Sequence, residues 1–495
     1  MPTLYYFLIS NPLNTTGNYP WIDAVGQLLA QPAVAVILAV LIPCLVVFLL
    51  VQAVAGGSTY IERKVAADIQ RRVGPNKCNV GAFFGEFARA SVRNGLDSRA
   101  GFGGRMMATL LKPAVPLIDA IDKVVGKLAP GVLIFLADGI KLIMKEDIIP
   151  DAVDKPLFKI APTIVLASAM GALAVLPYSD AWYVADFNIG IFYIAAITSM
   201  EVLGILMAGW ASNNKWALLG GMRSAAQIVS YELPVGLAIA TGIMISGTMS
   251  MQGMTYDQFG FTPTGTMWTQ GWIFQWNITH PAMFILAPVY FLAALAECNR
   301  TPFDIPEAES ELVSGYHTEY SGMRFGIFFM AEYAMMAVTS AIAVTLFLGG
   351  WSTGIAPLEW VLMKTPPQGL TPPDFYWYGT LIHLIAFCVK TYLLVLLMMW
   401  IRWTLPRFRV DQMMTLCWKK LIPLGMLCFF LVSVWMILRI VLVNKFGEET
   451  ISMTSFVLRA IFSIGFVTWV VWFFKQPLID HEQSQRDRVE LGIRN

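Results

Sequence analysis

Six carboxylates crowd the end of one apolar run. The stretch Ala296 to Tyr320, AECNRTPFDIPEAESELVSGYHTEY, carries Glu297, Asp304, Glu307, Glu309, Glu311 and Glu319, and the run that feeds into it begins near Ala282. An ionised side chain inside a bilayer costs roughly 2.5–3.5 kcal/mol on insertion scales, so such groups persist mainly where they line water, ions or protons. Further carboxylates sit within or at the rims of apolar segments: Glu201 in SMEVLGILMAGWASNNKWALLG, Glu232 in AAQIVSYELPVG and Glu332 in FFMAEYAMM. Any one of them could pair with a nearby Lys, Arg or Tyr. Several together, in a chain with little other intramembrane charge, favour a path, because desolvation and like-charge neighbours let buried carboxyls take up and release protons near neutral pH.

Three cationic blocks accompany the acids. The first, ERKVAADIQRRVGPNK from Glu62 to Lys77, follows an apolar run and sets Glu62 beside Arg63, Lys64, Arg71 and Arg72. Ordinary interfacial anchoring would account for these cations. The second, Leu136 to Asp147, reads LADGIKLIMKED. Asp138 and Lys141, three apart, share a helical face, while Phe135, Leu136, Ile140 and Ile143 can face bilayer or core. A solvated ion-pair face is the plain alternative. The third, WIRWTLPRFRVDQMM from Trp400, brings Arg407 and Arg409 just after a run that contains Lys390, a mid-span cation.

Chemistry that the chain should lack is equally clear. Cys44, Cys78, Cys298, Cys388, Cys417 and Cys428 form no CxxC pair, and His280, His317, His383 and His481 form no HExxH-type pattern. No iron–sulfur cluster, zinc site or other metal is therefore expected on this chain. No P-loop or dinucleotide-binding glycine fingerprint occurs, so redox carriers would belong to partners or to a diffusible substrate. His317, in the acidic segment, could join a proton network, although a surface role is the simpler expectation.

The elements that position these groups follow from composition. Of 495 residues, 57% are apolar and 14% charged, against about 25% charged in ordinary soluble domains, and mean hydropathy is +0.61. An all-α polytopic membrane protein is expected, with about nine transmembrane helices plus interfacial amphipathic helices. Apolar runs place the spans near 33–55, 161–177, 188–209, 229–248, 282–297, 325–348, 380–401, 421–442 and 454–474. Basic residues alternate between loops: 56–160 and 402–420 are rich in Lys and Arg, 249–281 has none, and 349–379 has only Lys364. The positive-inside rule then puts the N-terminus outside and the C-terminus inside. No cationic n-region precedes the first run, so no cleaved signal peptide is expected. The organisation anticipated is an outer segment 1–32, a first helix 33–55, an inner loop 56–160, a helical core 161–442 with an acidic inner loop 298–324, and an added helix with inner tail over 443–495. Near-zero net charge gives no reason to expect nucleic acid.

The acidic run NRTPFDIPEAESELVSGYHTEYSGMRF, together with ERKVAADIQRRVGPN, LADGIKLIMKED and TLPRFRVDQ, closely resembles the H-subunit family of NADH:quinone oxidoreductase, whose members form the membrane part of the quinone site of respiratory complex I. The resemblance covers roughly 56–420, apart from extra length near 81–132. It implies a quinone cavity bordered by Glu62, Arg63, Arg72, Asp138, Lys141, Arg407 and Arg409. It likewise implies a proton path through Glu201, Glu232, Glu297, Asp304, Glu307, Glu309, Glu311 and Glu319. Quinone would be the substrate, with iron–sulfur clusters and flavin in partner subunits, soluble quinone-module subunits on one side and antiporter-like membrane subunits alongside. Such a chain would not be active alone, and a bacterial plasma membrane is the expected location, ahead of the mitochondrial inner membrane.

Two features depart from that family: extra length near 81–132, whose second half has helical spacing at Ile118, Ile121, Val124, Val125 and Leu128, and the ninth span. A secondary transporter or ion channel would also use membrane carboxylates. Transporters commonly show two related halves, and no such repeat is visible here.

Overall fold

The computed structural model describes residues 32–76, 131, 134–260, 271–306, 312–365 and 374–446. Within them the chain is an all-α membrane bundle. The principal helices are α1 (Pro32–Ile69), α2 (Ile134–Met144), α3 (Lys155–Leu173), α4 (Gly190–Thr198), α5 (Met200–Ala211), α6 (Lys215–Ser246), α7 (Met251–Phe259), α8 (Pro281–Glu297), α9 (Gly322–Phe347), α10 (Ala356–Leu362), α11 (Trp377–Thr404), α12 (Val410–Leu416) and α13 (Ile422–Phe446). A two-stranded antiparallel ribbon, β1 (Met363–Thr365) with β2 (Asp374–Phe375), links α10 to α11.

Among the described residues, seven segments are long and apolar enough to cross a membrane, with α4 and α5 together forming one of them, and α8 is a shorter apolar helix. These occupy eight of the nine anticipated runs. The ninth, 454–474, lies outside the described residues, as do nearly all of the extra segment 81–132 and the start of the chain. Helices are the only open-ended solution in a bilayer because each satisfies its own backbone. At 38 residues, α1 is about 57 Å long. It outreaches a hydrocarbon layer of about 30 Å, so the ERK block continues on the helix instead of starting a loop.

The centre of the bundle is α9, in which every residue from Tyr333 to Phe347 is buried. A helix that is apolar all round packs against neighbours on every side. One large core joins it to α6 and α8 through residues such as Tyr290, Ala294, Met335 and Val338. A second, smaller core gathers Phe158, Val165, Ile205 and Phe328 with Tyr316 and Tyr320.

Prolines shape how the pieces meet. Pro162 lies inside α3 and Pro234 inside α6; each lacks an N–H and so deprives the carbonyl four residues earlier of its helical partner. Both orphaned carbonyls are satisfied from elsewhere. Tyr320 Oη donates to the Phe158 carbonyl at 3.2 Å, and Cys417 Sγ donates to the Ser230 carbonyl at 3.2 Å. Close approach needs bare backbone at Gly220, where a Cβ would lie 2.7 Å from the Cα of Gly315. That contact seats the end of the acidic loop directly on α6.

Candidate functional site

A cavity of about 830 Å³ lies among α1, α2, α9 and the end of α11, within the range of small-molecule sites. From α1 it is lined by Ala55, Thr59, Glu62 and Ala66, whose spacing puts them on one helical face. Across from them α2 presents Phe135, Asp138, Lys141 and Leu142, and α9 presents Phe329, Met330 and Tyr333. At Gly56 a Cβ would sit 2.6 Å from the Phe135 ring, so the missing side chain lets α2 close against α1. Past Ile69 the chain turns at Arg71, φ 53°, with Arg72 N–H bonded to the Ala67 carbonyl at 2.7 Å. This turn brings Arg72 to the cavity wall. The lining is thus mixed, with apolar side chains from α2 and α9 beside a cluster of ions.

Most of those ions are paired. Arg63 Nη2 lies 2.6 Å from Asp138 Oδ2, and Lys141 Nζ lies 2.9 Å from Asp138 Oδ1, the i,i+3 contact anticipated from spacing. Glu62 is deeper. It is 6% exposed, accepts from Tyr333 Oη at 2.7 Å, pairs with Arg300 at 3.3 Å and accepts from Arg402. Arg300 in turn contacts Glu332 at 2.5 Å and stacks over the Tyr333 ring at 4.3 Å. A buried charge is tolerated when it is paired and hydrogen-bonded, and here two acids and two arginines from α1, α9, α11 and the 298–306 segment neutralise one another.

The structure brings together Glu62, Arg63, Arg72, Asp138 and Lys141 but does not add Arg407 or Arg409 to the lining. Arg407 pairs with Asp304 at 3.0 Å. Arg409 is exposed at the start of α12, where its backbone N–H donates to Gln412 Oε1. The arginine that reaches the cavity from this region is Arg402, at the end of α11. In the sequence it is one of several basic residues of the 402–420 stretch, and nothing local marks Glu62, 340 positions away, as its partner.

The remaining carboxylates form a second group. Glu201 and Glu297 are buried, and Glu297 is within electrostatic reach of both Glu201 and Glu232. Glu232 accepts from Ser199 Oγ, at the break that separates α4 from α5. Glu319 accepts from Asn214 Nδ2 at 2.8 Å. Buried Gln227 binds the start of the acidic loop, donating to the carbonyls of Ala296 (2.7 Å) and Phe303 (2.8 Å). Glu307, Glu309 and Glu311 lie outside the described residues. His317 is not a surface residue: it is 3% exposed, packed against Tyr316, Phe325, Phe328 and Phe329. The aromatic residues that flank it in sequence and on α9 enclose it once the loop folds back. Ser199, Gln227, Arg300 and Glu332 complete the network; of these, only Glu332 stands out in the sequence, as a charge in an apolar run.

A family model described as NADH dehydrogenase matches residues 123–433. The H-subunit of NADH-quinone oxidoreductase from Anaeromyxobacter dehalogenans is 47% identical over 311 residues, covering 63% of this chain and 72% of that protein. The chain belongs to the H-subunit family of NADH-quinone oxidoreductase. Another relative, the H-subunit from Chlorobaculum parvum, is 44% identical over 62% of this chain and 80% of its own length. NADH-quinone oxidoreductase subunit 8 from Rhodothermus marinus is 36% identical over 79% of this chain and 95% of its own. The family match takes in the α2 block, the acidic loop and the TLPR block. It begins at 123, inside the segment anticipated as extra, and so leaves out the Glu62–Lys77 block, whose place at the cavity rests on the geometry above.

Proposed function

We propose that this chain is the membrane subunit of a proton-pumping NADH:quinone oxidoreductase that forms the quinone-binding cavity with soluble partners and couples quinone reduction to proton translocation. The observation that carries the reading is the cavity between α1, α2 and α9, which pairs an apolar wall at Phe135, Leu142, Phe329 and Met330 with a polar one at Glu62, Arg63, Asp138 and Arg402. A quinone has the matching character: a polar ring with two carbonyls and an apolar tail. Partner subunits deliver the electrons through flavin and iron–sulfur clusters, and the chain itself binds none. The quinone takes up two electrons and two protons.

The charge change at Glu62, Arg63 and Asp138 is then felt by the network of Arg300, Glu332, Glu297, Glu201 and Glu232, with Asp304, Glu307, Glu309, Glu311 and Glu319 continuing it through the acidic loop toward antiporter-like membrane partners. The chain lies in a bacterial plasma membrane with its N-terminus outside and the cavity, acidic loop and C-terminus toward the inside, and it is inactive without its partners. The test is photo-crosslinking of the intact complex with a photoreactive quinone analogue. Label on α1, α2 or α9 at the cavity, displaced by excess quinone, supports the reading. Displaceable label confined to other subunits, with none on these helices, rejects it.

A further inference from the structure

A second cluster of ionisable side chains lies far from the cavity. His383, in the second turn of α11, has no exposed surface. Its Nδ1 faces Asp180 Oδ1 at 3.3 Å and its Nε2 faces Glu359 Oε2 at 2.9 Å. A neutral imidazole carries one N–H and one lone pair, so against two ionised carboxylates one of these contacts would set lone pair against lone pair. Both become hydrogen bonds only if the trio holds one further proton.

The other neighbours say where that proton sits. Glu359 Oε1 accepts from the Thr353 N–H and hydroxyl, both at 2.6 Å. Asp180 accepts from Ser179 Oγ at 2.6 Å and Thr380 Oγ1 at 3.2 Å. Burial pushes the Asp180 carboxyl up, but hydrogen bonds from His383 and Ser179 outweigh it and hold this acid below its ordinary range. Both carboxylates are thus surrounded by donors, which leaves the imidazole as the proton's carrier.

The charges close as well. Among the described residues the charges acting on His383 are Asp180 from the 177–189 connection and Glu359 from α10, and Glu359 in turn has Lys390, two turns along α11, within electrostatic reach. The ammonium of Lys390 donates to the carbonyls of Leu348 (2.7 Å), Gly350 (3.0 Å) and Ser352 (2.5 Å) and interacts electrostatically with Glu359. From α7 the nearby polar group is uncharged Gln252, which donates to the Ser179 carbonyl. With a neutral imidazole the four groups carry one net negative charge in a buried place; with one proton bound they sum to zero.

Arg402, at the cavity, is nineteen residues further along α11, about 28 Å at 1.5 Å per residue, so the cluster sits at the opposite end of the bundle. Above it the surface is a rim of exposed aromatics, Trp182, Tyr183, Tyr376 and Trp377, the residue types that mark a membrane–water interface.

We propose that His383, clamped between Asp180 and Glu359 and balanced by Lys390, is a second proton-binding site, which exchanges its proton with water at the membrane face opposite the cavity. The site stands independently of what the cavity binds. The experiment is infrared spectroscopy of the assembled complex in sealed vesicles, with ring-labelled histidine, comparing wild type with His383→Gln. At pH 7 the difference contains one imidazolium. In the wild type that signal converts to neutral imidazole as the pH is raised on the aromatic-rim side alone. A neutral ring at pH 7 overturns the proposal. So does an imidazolium signal that persists until the helices unfold, since that would make the trio a fixed ion pair. Glu359→Gln, which removes one clamp and keeps the ring, is the second variant: it should lose the imidazolium signal at pH 7, and retention of that signal would remove Glu359 from the site.

Discussion

Tyr320 closes the acidic loop by donating its hydroxyl hydrogen to the Phe158 carbonyl at 3.2 Å, the oxygen that Pro162 leaves without a helical partner, while its ring stacks on Phe158 at 4.0 Å. Tyr320→Phe keeps the ring and removes the donor. The cost expected is about 1–3 kcal/mol, the penalty of a buried carbonyl left unsatisfied. Pro162→Ala should shrink it, because the residue 162 amide can then bond the same oxygen. A double-mutant cycle read by thermal unfolding of the purified complex checks this; additive effects would count against the pairing.

Arg300 holds two acids at once. It is 2% exposed and contacts both Glu62 and Glu332. Arg300→Gln takes the arginine away from buried Glu62 and half-buried Glu332, and breaking a buried pair costs about 3–5 kcal/mol. Assembly should fall sharply. Arg300→Gln combined with Glu332→Gln should recover part of it, since Glu62 retains Arg402. Quantifying assembled complex on native gels decides the matter, and a double variant no better than the single would refute the pairing.

The Arg63–Asp138 bridge behaves differently because it is wet: the two side chains are 47% and 28% exposed. Such pairs contribute about 0–1 kcal/mol to stability. Asp138→Asn is therefore expected to leave the melting temperature nearly unchanged while raising KM for quinone several-fold, because the cavity loses a charge that holds Arg63 and Lys141. Steady-state kinetics beside a melting curve separates the two effects, and an unchanged KM removes Asp138 from the proposed quinone site.

Glu297 and Glu232 test the proposed proton route. Replacing either with Gln keeps size and hydrogen bonding but abolishes titration, so quinone-linked electron transfer and proton pumping should both fall in complexes that still assemble. Full activity and full pumping in assembled Glu297→Gln and Glu232→Gln complexes would make the two residues structural.

What the sequence determined by itself was the set of helices and the local geometry on each. A bilayer forces every spanning segment to satisfy its own backbone and to present apolar side chains, so the runs that became α1, α3, α4 with α5, α6, α8, α9, α11 and α13 are visible without knowing how they pack. The Asp138–Lys141 contact is visible too, because three residues along a helix fixes its geometry. Only tertiary structure decided the partners. Glu62 meets Arg300 and Arg402, Pro162 calls for Tyr320, His383 lies between Asp180 and Glu359, and His317 is walled in by α9. Most of these contacts join elements far apart in the chain, and the helical period says which face a residue occupies but not which element will face it. That choice falls to the packing of the bundle around α9, where a buried charge can be kept only if its counter-charge arrives from another part of the chain.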